Sequence, residues 1–397
     1  MSRQETGSFS LMKNINTALI LHIIRENKNI SRAHVSKISG LTPATVTNIT
    51  CELIGMGLVS EAERGVSKGG RKPVLLRIVE DAYHVIGVYI GSRMIQLVLA
   101  DLSGRLLERR DIACPIGLGP EEALGKVVDA IRETLRHSEK RIIGIGVGVH
   151  GLVRRDEGIA VLSPNLGWEN VRIKDLLESE FGLPVMVDND VHAMTIGERL
   201  AGMARSSEDF VLLYVGSGIG GSIVMGNQLY AGATGAAGEF GHTTVQPDGP
   251  LCSCGNHGCL QALASEGAML ERYKELAGKD AVPGLSFNGL MEKALAGDRW
   301  AAKAISDAAV YIGIGIANII NVFNPTLVVI GGDISKMGSS VMRIINEEVA
   351  RRCMEYTQSS TRIVFAGSKN ESFLRGAASL VIQALLENPS RLLENQG

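Results

Sequence analysis

Glu239-Phe-Gly-His242, nine further residues, then Cys252-Ser-Cys254-Gly-Asn-His-Gly-Cys259-Leu-Gln261: this stretch sets one histidine and three cysteines at metal-ligand spacing. Three thiolates and an imidazole complete a tetrahedral Zn²⁺ shell with no position left open, and closed sites of this kind are structural far more often than catalytic. The expected ligands are His242, Cys252, Cys254 and Cys259. His257, inside the tight turn from Cys254 to Cys259, is an alternative ligand whose expected place is the surface. Three cysteines this close rarely arise from packing alone.

The remaining cysteines, Cys51, Cys114 and Cys353, stand singly in apolar or helical stretches and are expected as core thiols. Six cysteines in 397 residues, behind an N-terminus with no charged and apolar leader, point to a reducing cytoplasm and to metal rather than disulfide chemistry. A chain of this length implies two or three domains, and 47 glycines with 4% aromatics imply an α/β body with many tight turns. The most apolar segment, Ala309 to Phe323, is interrupted by Asn318 and Asn321 and closed by Pro325, which predicts a buried helix rather than a membrane span. Charge is divided unevenly. Residues 1–80 hold eleven Lys or Arg against six Glu, a balance of +5, and the remainder carries −7. A basic head on an acidic body is the layout of a nucleic-acid-binding module joined to something with another task.

Within the head, Leu11, Ile15, Ala18, Leu19 and Ile23 fall at helical spacing and form the expected core face of a first helix. Ser31 then caps a short helix reaching Ser39, and Gly40 supplies a left-handed turn. Thr42-Pro43 opens a third helix, the hydroxyl capping free N–H groups and the proline sitting where none is needed. Val46, Ile49, Leu53 and Ile54 are expected inside that helix, with Ala44, Thr45, Thr47, Asn48 and Cys51 outside. Leu58-Val-Ser-Glu61, the glycine-rich Gly65-Val-Ser-Lys-Gly-Gly-Arg-Lys-Pro73 and Val74-Leu-Leu-Arg77 read as a hairpin with a basic tip. Together these predict a winged helix-turn-helix on double-stranded DNA. Thr42, Ala44, Thr45, Thr47 and Asn48 would face the major groove, and Lys68, Arg71 and Lys72 the phosphates. A three-helix protein-interaction module is the alternative; the Gly-Gly-Arg-Lys-Pro wing favours DNA.

Beyond the head, strands are expected at Val85 to Ile90 and Ile95 to Ala100, a helix from about Pro120 to Arg136, and the apolar run Ile142 to Val149. A second round begins near Phe210, with strand Val211 to Val215, the loop Gly216-Ser-Gly-Ile-Gly-Gly221 and strand Ser222 to Met225. Two β-rich openings, each with a glycine loop, suit a duplicated nucleotide-cleft architecture. The succession Pro164-Asn165-Leu-Gly-Trp168, Val187-Asp-Asn189-Asp190, Gly216 to Gly221, Gly235-Ala-Ala-Gly-Glu239-Phe-Gly-His242, the cysteine cluster and Ile330-Gly-Gly-Asp333 resembles the ROK family (repressors, open reading frames, kinases) across roughly residues 81–390. The resemblance implies an actin-like, hexokinase-like α/β body of two lobes with sugar held in the cleft between them. It assigns Asn165, Asn189, Asp190, Glu239 and His242 to sugar hydroxyls, Asp190 being the position of the kinase general base, and adds Gln261 where the family has Glu. A helix N-cap is the competing role for Asp190. The expected domains are 1–80, the winged head; 81–190, the first lobe, with the C-terminal helix returning to it; and 191–397, the second lobe with its structural zinc.

Departures from the family pattern separate two functions. Its kinases carry Asp-x-Gly-Gly-Thr in the first phosphate loop, whereas this chain has Tyr89-Ile-Gly91-Ser92-Arg93, with Tyr in place of the metal-side acid. The second loop, with Gly216, Ser217 and Gly218, is nearly kinase-like. His150 stands where kinases commonly have proline. The resulting expectation is a cytoplasmic, sugar-responsive transcriptional regulator, most often a repressor in this family. It would bind a DNA operator as a homodimer or higher oligomer and a monosaccharide effector without phosphorylating it. The alternative is an ATP-dependent sugar kinase with an appended DNA-binding domain.

Overall fold

The computed structural model describes residues 9–62, 73–91, 94–113, 117–367 and 371–394. The chain divides into two compact units, Met1–Asp188 with Ala377–Gly397, and Asn189–Gly376.

The first unit opens with helices Phe9–Asn27, Arg32–Ser39 and Pro43–Gly55, and with a three-stranded antiparallel sheet of Ile30–Ser31, Leu75–Ile78 and Val59–Ala62. Local chemistry sets these boundaries. The Ser31 hydroxyl accepts from the His34 N–H, Gly40 ends the second helix at φ 71°, and the Thr42 hydroxyl accepts from the Thr45 N–H ahead of Pro43. The first helix buries only part of its expected stripe, Ile23 inside and Ala18 half-buried. Leu11, Ile15 and Leu19 are exposed, Ile15 to 58%, and the buried side chains are Thr17, Ile20, Leu21, Ile23 and Ile24. Packing on the neighbouring helices and on strand Leu75–Ile78 selects the face, not the periodicity alone. Thr50 is fully buried and takes a hydrogen bond from Arg32 Nε at 2.9 Å. Cys51 is exposed, as its outward place on the third helix predicts, and is not a core thiol. Cys114 lies outside the described residues, and Cys353 is half-buried with its thiol pushed up by burial.

After the head, the first unit forms a five-stranded sheet ordered Val185–Asn189, Ile142–Val149, His84–Ile90, Met94–Asp101, Leu106–Ala113. Its first strand in sequence, His84–Ile90, runs antiparallel to Met94–Asp101 and parallel to Ile142–Val149. The second unit repeats the order: Gln228–Leu229, Ile219–Met225, Phe210–Val215, Leu327–Gly331, Arg362–Phe365. Here Phe210–Val215 is antiparallel to Ile219–Met225 and parallel to Leu327–Gly331. Strand Ile142–Val149 is buried along its whole length, which is why it reads as an unbroken run of apolar residues and glycine. A Cβ on Gly146 would lie 1.9 Å from the Ala377 carbonyl oxygen, so glycine there permits close approach of helix Ser372–Glu387.

The second strand of the second unit's sheet begins earlier than expected, at Ile219 rather than Ser222. Ile219, Gly220 and Gly221 are already paired with Val215, Tyr214 and Leu213, leaving Gly216-Ser217-Gly218 as the turn. The apolar segment from Ala309 belongs to a longer helix, Arg299–Phe323, which Asp298 starts by accepting from the Trp300 and Ala301 N–H groups. By length and composition this helix could cross a bilayer. Instead Ala304, Ile305, Ala308, Ile312, Ile316 and Ile320 form the spine of the second unit's core, enclosed by helices Glu266–Ala277, Phe287–Leu295 and Ser339–Arg352.

Candidate metal centre and ligand loops

His242, Cys252, Cys254 and Cys259 each offer a ligand atom, and these atoms lie within 4.8 Å of one another. The loop is folded by its own backbone. The Cys252 N–H donates to the Asn256 carbonyl at 2.7 Å, Gly258 to Pro250 and Leu260 to Thr243. Cys254 Sγ lies 3.7 Å from Cys259 Sγ, and Cys252 Sγ lies 3.6 Å from His242 Nδ1. Zinc–sulfur bonds of about 2.3 Å make a tetrahedral edge of roughly 3.8 Å, whereas a disulfide needs about 2.05 Å. The spacing fits ligands around one cation. The thiols alone are in conflict: burial and the neighbouring sulfurs push Cys259 up to about 12, while backbone N–H groups, Asn256 first, hold Cys254 below the ordinary thiol value. A divalent cation allows all three to ionise. His257 is outside this cluster; it is exposed, and its Nδ1 donates to the Gly249 carbonyl at 3.2 Å.

With Nδ1 on the cysteine side, His242 turns Nε2 to Glu239 Oε2 at 4.0 Å. Glu239 is exposed and His242 half-buried, so the two form a polar rim just outside the cluster. The Glu239 loop lies directly on strand Ile219–Met225. Gly238 has φ 97°, and a Cβ there would come 2.3 Å from the Gly221 carbonyl oxygen, so two backbones meet where no side chain fits. Gln261 ties the same elements together: its Oε1 accepts from the Ile219 N–H at 2.9 Å and its Nε2 donates to Ser253 Oγ at 3.3 Å. The cap of helix Asp190–Ala201 is Asn189, one residue before the expected Asp190, since Asn189 Oδ1 accepts from the Val191 and His192 N–H groups. Asp190 itself is buried, with Oδ1 accepting from the Val191 N–H at 2.9 Å.

In the first unit, the Tyr89 ring folds over its own loop, within 2.8 Å of where a Gly91 Cβ would stand. Ser92 and Arg93 lie outside the described residues, as do the wing residues Lys68, Arg71 and Lys72. Asn165 is exposed, and its side-chain amide nitrogen lies 2.9 Å from His150 Nε2, a pairing the sequence did not suggest. In the head, Thr42, Ala44, Thr47 and Asn48 are exposed and Thr45 is half-buried. The Thr47 hydroxyl donates to the Pro43 carbonyl, and those of Thr42 and Thr45 lie 2.9 Å apart. One correspondence was readable in the sequence and missed: Tyr214-Val-Gly216-Ser217 repeats Tyr89-Ile-Gly91-Ser92 at the matching hairpin.

Comparison with known proteins accounts for both parts. The ROK family matches residues 85–384. A putative xylose repressor of Caldicellulosiruptor sp. (strain Rt8B.4) is 38% identical over 395 residues, covering 96% of this chain and 99% of that protein. The crystal structure of a ROK family transcriptional regulator, a homolog of the E. coli MLC protein, superposes with a TM-score of 0.87 at 28% identity, covering 96% of this chain and 99% of that one. A ROK family glucokinase from Streptomyces griseus, solved with glucose and AMPPNP, gives 0.66 at 30% identity, covering 75% of this chain and 98% of its own. The body therefore has the actin-like sugar-kinase fold, built on the duplicated five-stranded sheets. With three quarters of its length matched by the family, and with relatives alike from end to end, the chain belongs to the ROK family.

Proposed function

We propose that this chain is a DNA-binding transcriptional repressor of carbohydrate-metabolism genes, whose kinase-like body binds a monosaccharide without phosphorylating it. The observation that carries this reading is the joining of a helix-turn-helix head, with Thr42, Ala44, Thr47 and Asn48 exposed at the start of helix Pro43–Gly55, to a ROK body, in a chain similar over 96% of its length to a protein named a putative xylose repressor. D-Xylose is accordingly the first effector to test. Asn165, Asn189, Asp190, Glu239 and His242 supply the amides, carboxylates and imidazole that sugar hydroxyls need. Gln261, engaged with Ile219 and Ser253, acts beside them as a strut between the glycine turn and the metal loop. Zinc held by His242, Cys252, Cys254 and Cys259 would cross-link the loop and fix the His242 ring. We infer a cytoplasmic homodimer that reads two operator half-sites, the arrangement usual for helix-turn-helix heads.

Sugar acts on DNA binding only through unequal affinity for two states of the protein, and the coupling is reciprocal. The test is operator affinity, by fluorescence anisotropy at fixed salt on a duplex selected from random sequence, with and without each of a panel of monosaccharides. D-Xylose should weaken binding about tenfold or more. Unchanged affinity across the whole panel contradicts the proposal. The second reading, an ATP-dependent sugar kinase with an appended head, draws on the turn Gly216-Ser217-Gly218 and on Asp190; it predicts sugar-dependent ADP release.

A further inference from the structure

His150 and Asn165 make a contact that the family pattern does not anticipate, and the inference drawn from it rests on the sugar-binding role proposed for Asn165. His150 comes directly after strand Ile142–Val149, and its backbone N–H donates to the Ile90 carbonyl at 3.3 Å, so the ring is carried on the sheet. Asn165 sits in the turn after strand Ile159–Ser163, closed by the Leu166 N–H on the Ser163 carbonyl and the Gly167 N–H on the Pro164 carbonyl. Between the two side chains, Asn165 Nδ2 lies 2.9 Å from His150 Nε2. An amide nitrogen has only N–H to offer, so it donates, and the ring nitrogen facing it is unprotonated.

An exposed asparagine can present either its N–H₂ or its oxygen by flipping about the last side-chain bond. In the Nδ1–H tautomer that this contact requires, His150 Nε2 is an acceptor, so the N–H₂ is held at the ring and Oδ1 becomes the atom left for a ligand. We propose that His150 is a specificity-determining positioning residue: it fixes the Asn165 amide so that Oδ1 accepts from one sugar hydroxyl. Proline, the common kinase residue at this position, has no side-chain acceptor and leaves the amide free to turn.

The experiment measures binding of D-xylose and its monodeoxy analogues by calorimetry to wild type, His150→Phe, His150→Gln, Asn165→Ala and the double variant His150→Phe/Asn165→Ala. Wild type should discriminate against one analogue, the one lacking the hydroxyl that donates to Asn165. His150→Phe should lose that discrimination and bind D-xylose about tenfold more weakly, the scale of one hydrogen bond. His150→Gln, whose carbonyl accepts from the same amide, should restore it. The double variant should bind no worse than Asn165→Ala, since His150 acts only through Asn165. If the phenylalanine ring is not accommodated, His150→Ala takes its place. Discrimination retained in His150→Phe, or additive losses in the double variant, would overturn this inference and leave the sugar site standing. A wild type that binds no monosaccharide overturns both.

Discussion

Tyr89-Ile-Gly91-Ser92-Arg93-Met94 in the first unit and Tyr214-Val-Gly216-Ser217-Gly218-Ile219 in the second occupy the same hairpin of two sheets with the same strand order. In both, a tyrosine ring covers the glycine: a Cβ on Gly91 would stand 2.8 Å from the Tyr89 ring, and one on Gly216 2.5 Å from the Tyr214 ring. Burial, with the carboxylates of Glu266, Asp190 and Asp333 nearby, raises Tyr214 above its ordinary value and keeps its hydroxyl protonated. Past the glycine the two hairpins diverge. The second continues with Gly218 and Ile219, which meet the Gln261 side chain, and its strand brings Gly221 against the Gly238 backbone of the Glu239 loop. The first continues with Arg93 and an exposed Met94, and carries Tyr89 where a metal-binding acid serves phosphoryl transfer. The two halves thus differ at one hairpin: glycine and Gln261 stand beside the candidate metal loop in the second, and Tyr89 stands where the family's kinases carry an acid in the first.

The metal loop is where this contrast can be broken most severely. Stripping the metal, or replacing Cys259 with Ser, should weaken sugar binding by at least about 100-fold, while operator affinity stays within about twofold. Metal content by mass spectrometry, calorimetry with D-xylose and anisotropy with DNA check the three parts. Loss of DNA binding with sugar binding intact reverses the assignment of the cluster to the sensing half.

A smaller effect compares glycines across the two hairpins. Gly238→Ala sets a side chain against the Gly221 backbone at a positive φ and should cost about 2–3 kcal/mol in urea unfolding. Gly91→Ala meets only the far end of the Tyr89 ring, which can rotate, and should cost less than about 1 kcal/mol. Equal costs would mean that the second hairpin is no more tightly braced than the first.

The mildest effect is confined to the first unit. His84 opens the first strand of its five-stranded sheet, buried, with Nδ1 2.9 Å from Ser138 Oγ, and burial lowers it below 6.5. The folded form then binds fewer protons than the unfolded form in the window just below 6.5. This contribution is present above 6.5 and lost as pH falls through the lowered value. Urea midpoints between about pH 5 and 7 should fall toward the acid side, and His84→Gln should flatten that slope.

Local signals were the most legible. Ser31, Gly40 and Thr42-Pro43 set helix boundaries through groups one to three residues away, and the four residues that could hold a metal stood out by type and spacing. Features that depend on distant packing were not legible. Leu11, Ile15 and Leu19 have helical spacing yet stay exposed, because the other helices of the head press on a different face. Gly220 and Gly221 look like loop residues, but pairing with Tyr214 and Leu213 makes them strand. The capping role falls to Asn189 rather than Asp190, because Asn189 keeps the extended backbone from which a side chain reaches the first free N–H groups. The partner of His150 lies 15 residues away across a turn, and no spacing rule points to it.

Sugar bound but not phosphorylated is the core of the proposed function. It is tested most directly by coupled ADP release from the metal-loaded protein with MgATP and D-xylose, at a sugar concentration that weakens operator binding. No turnover above the protein-free control is expected. Sustained sugar-dependent turnover would contradict the proposal and establish the first hairpin as a working phosphate loop despite Tyr89.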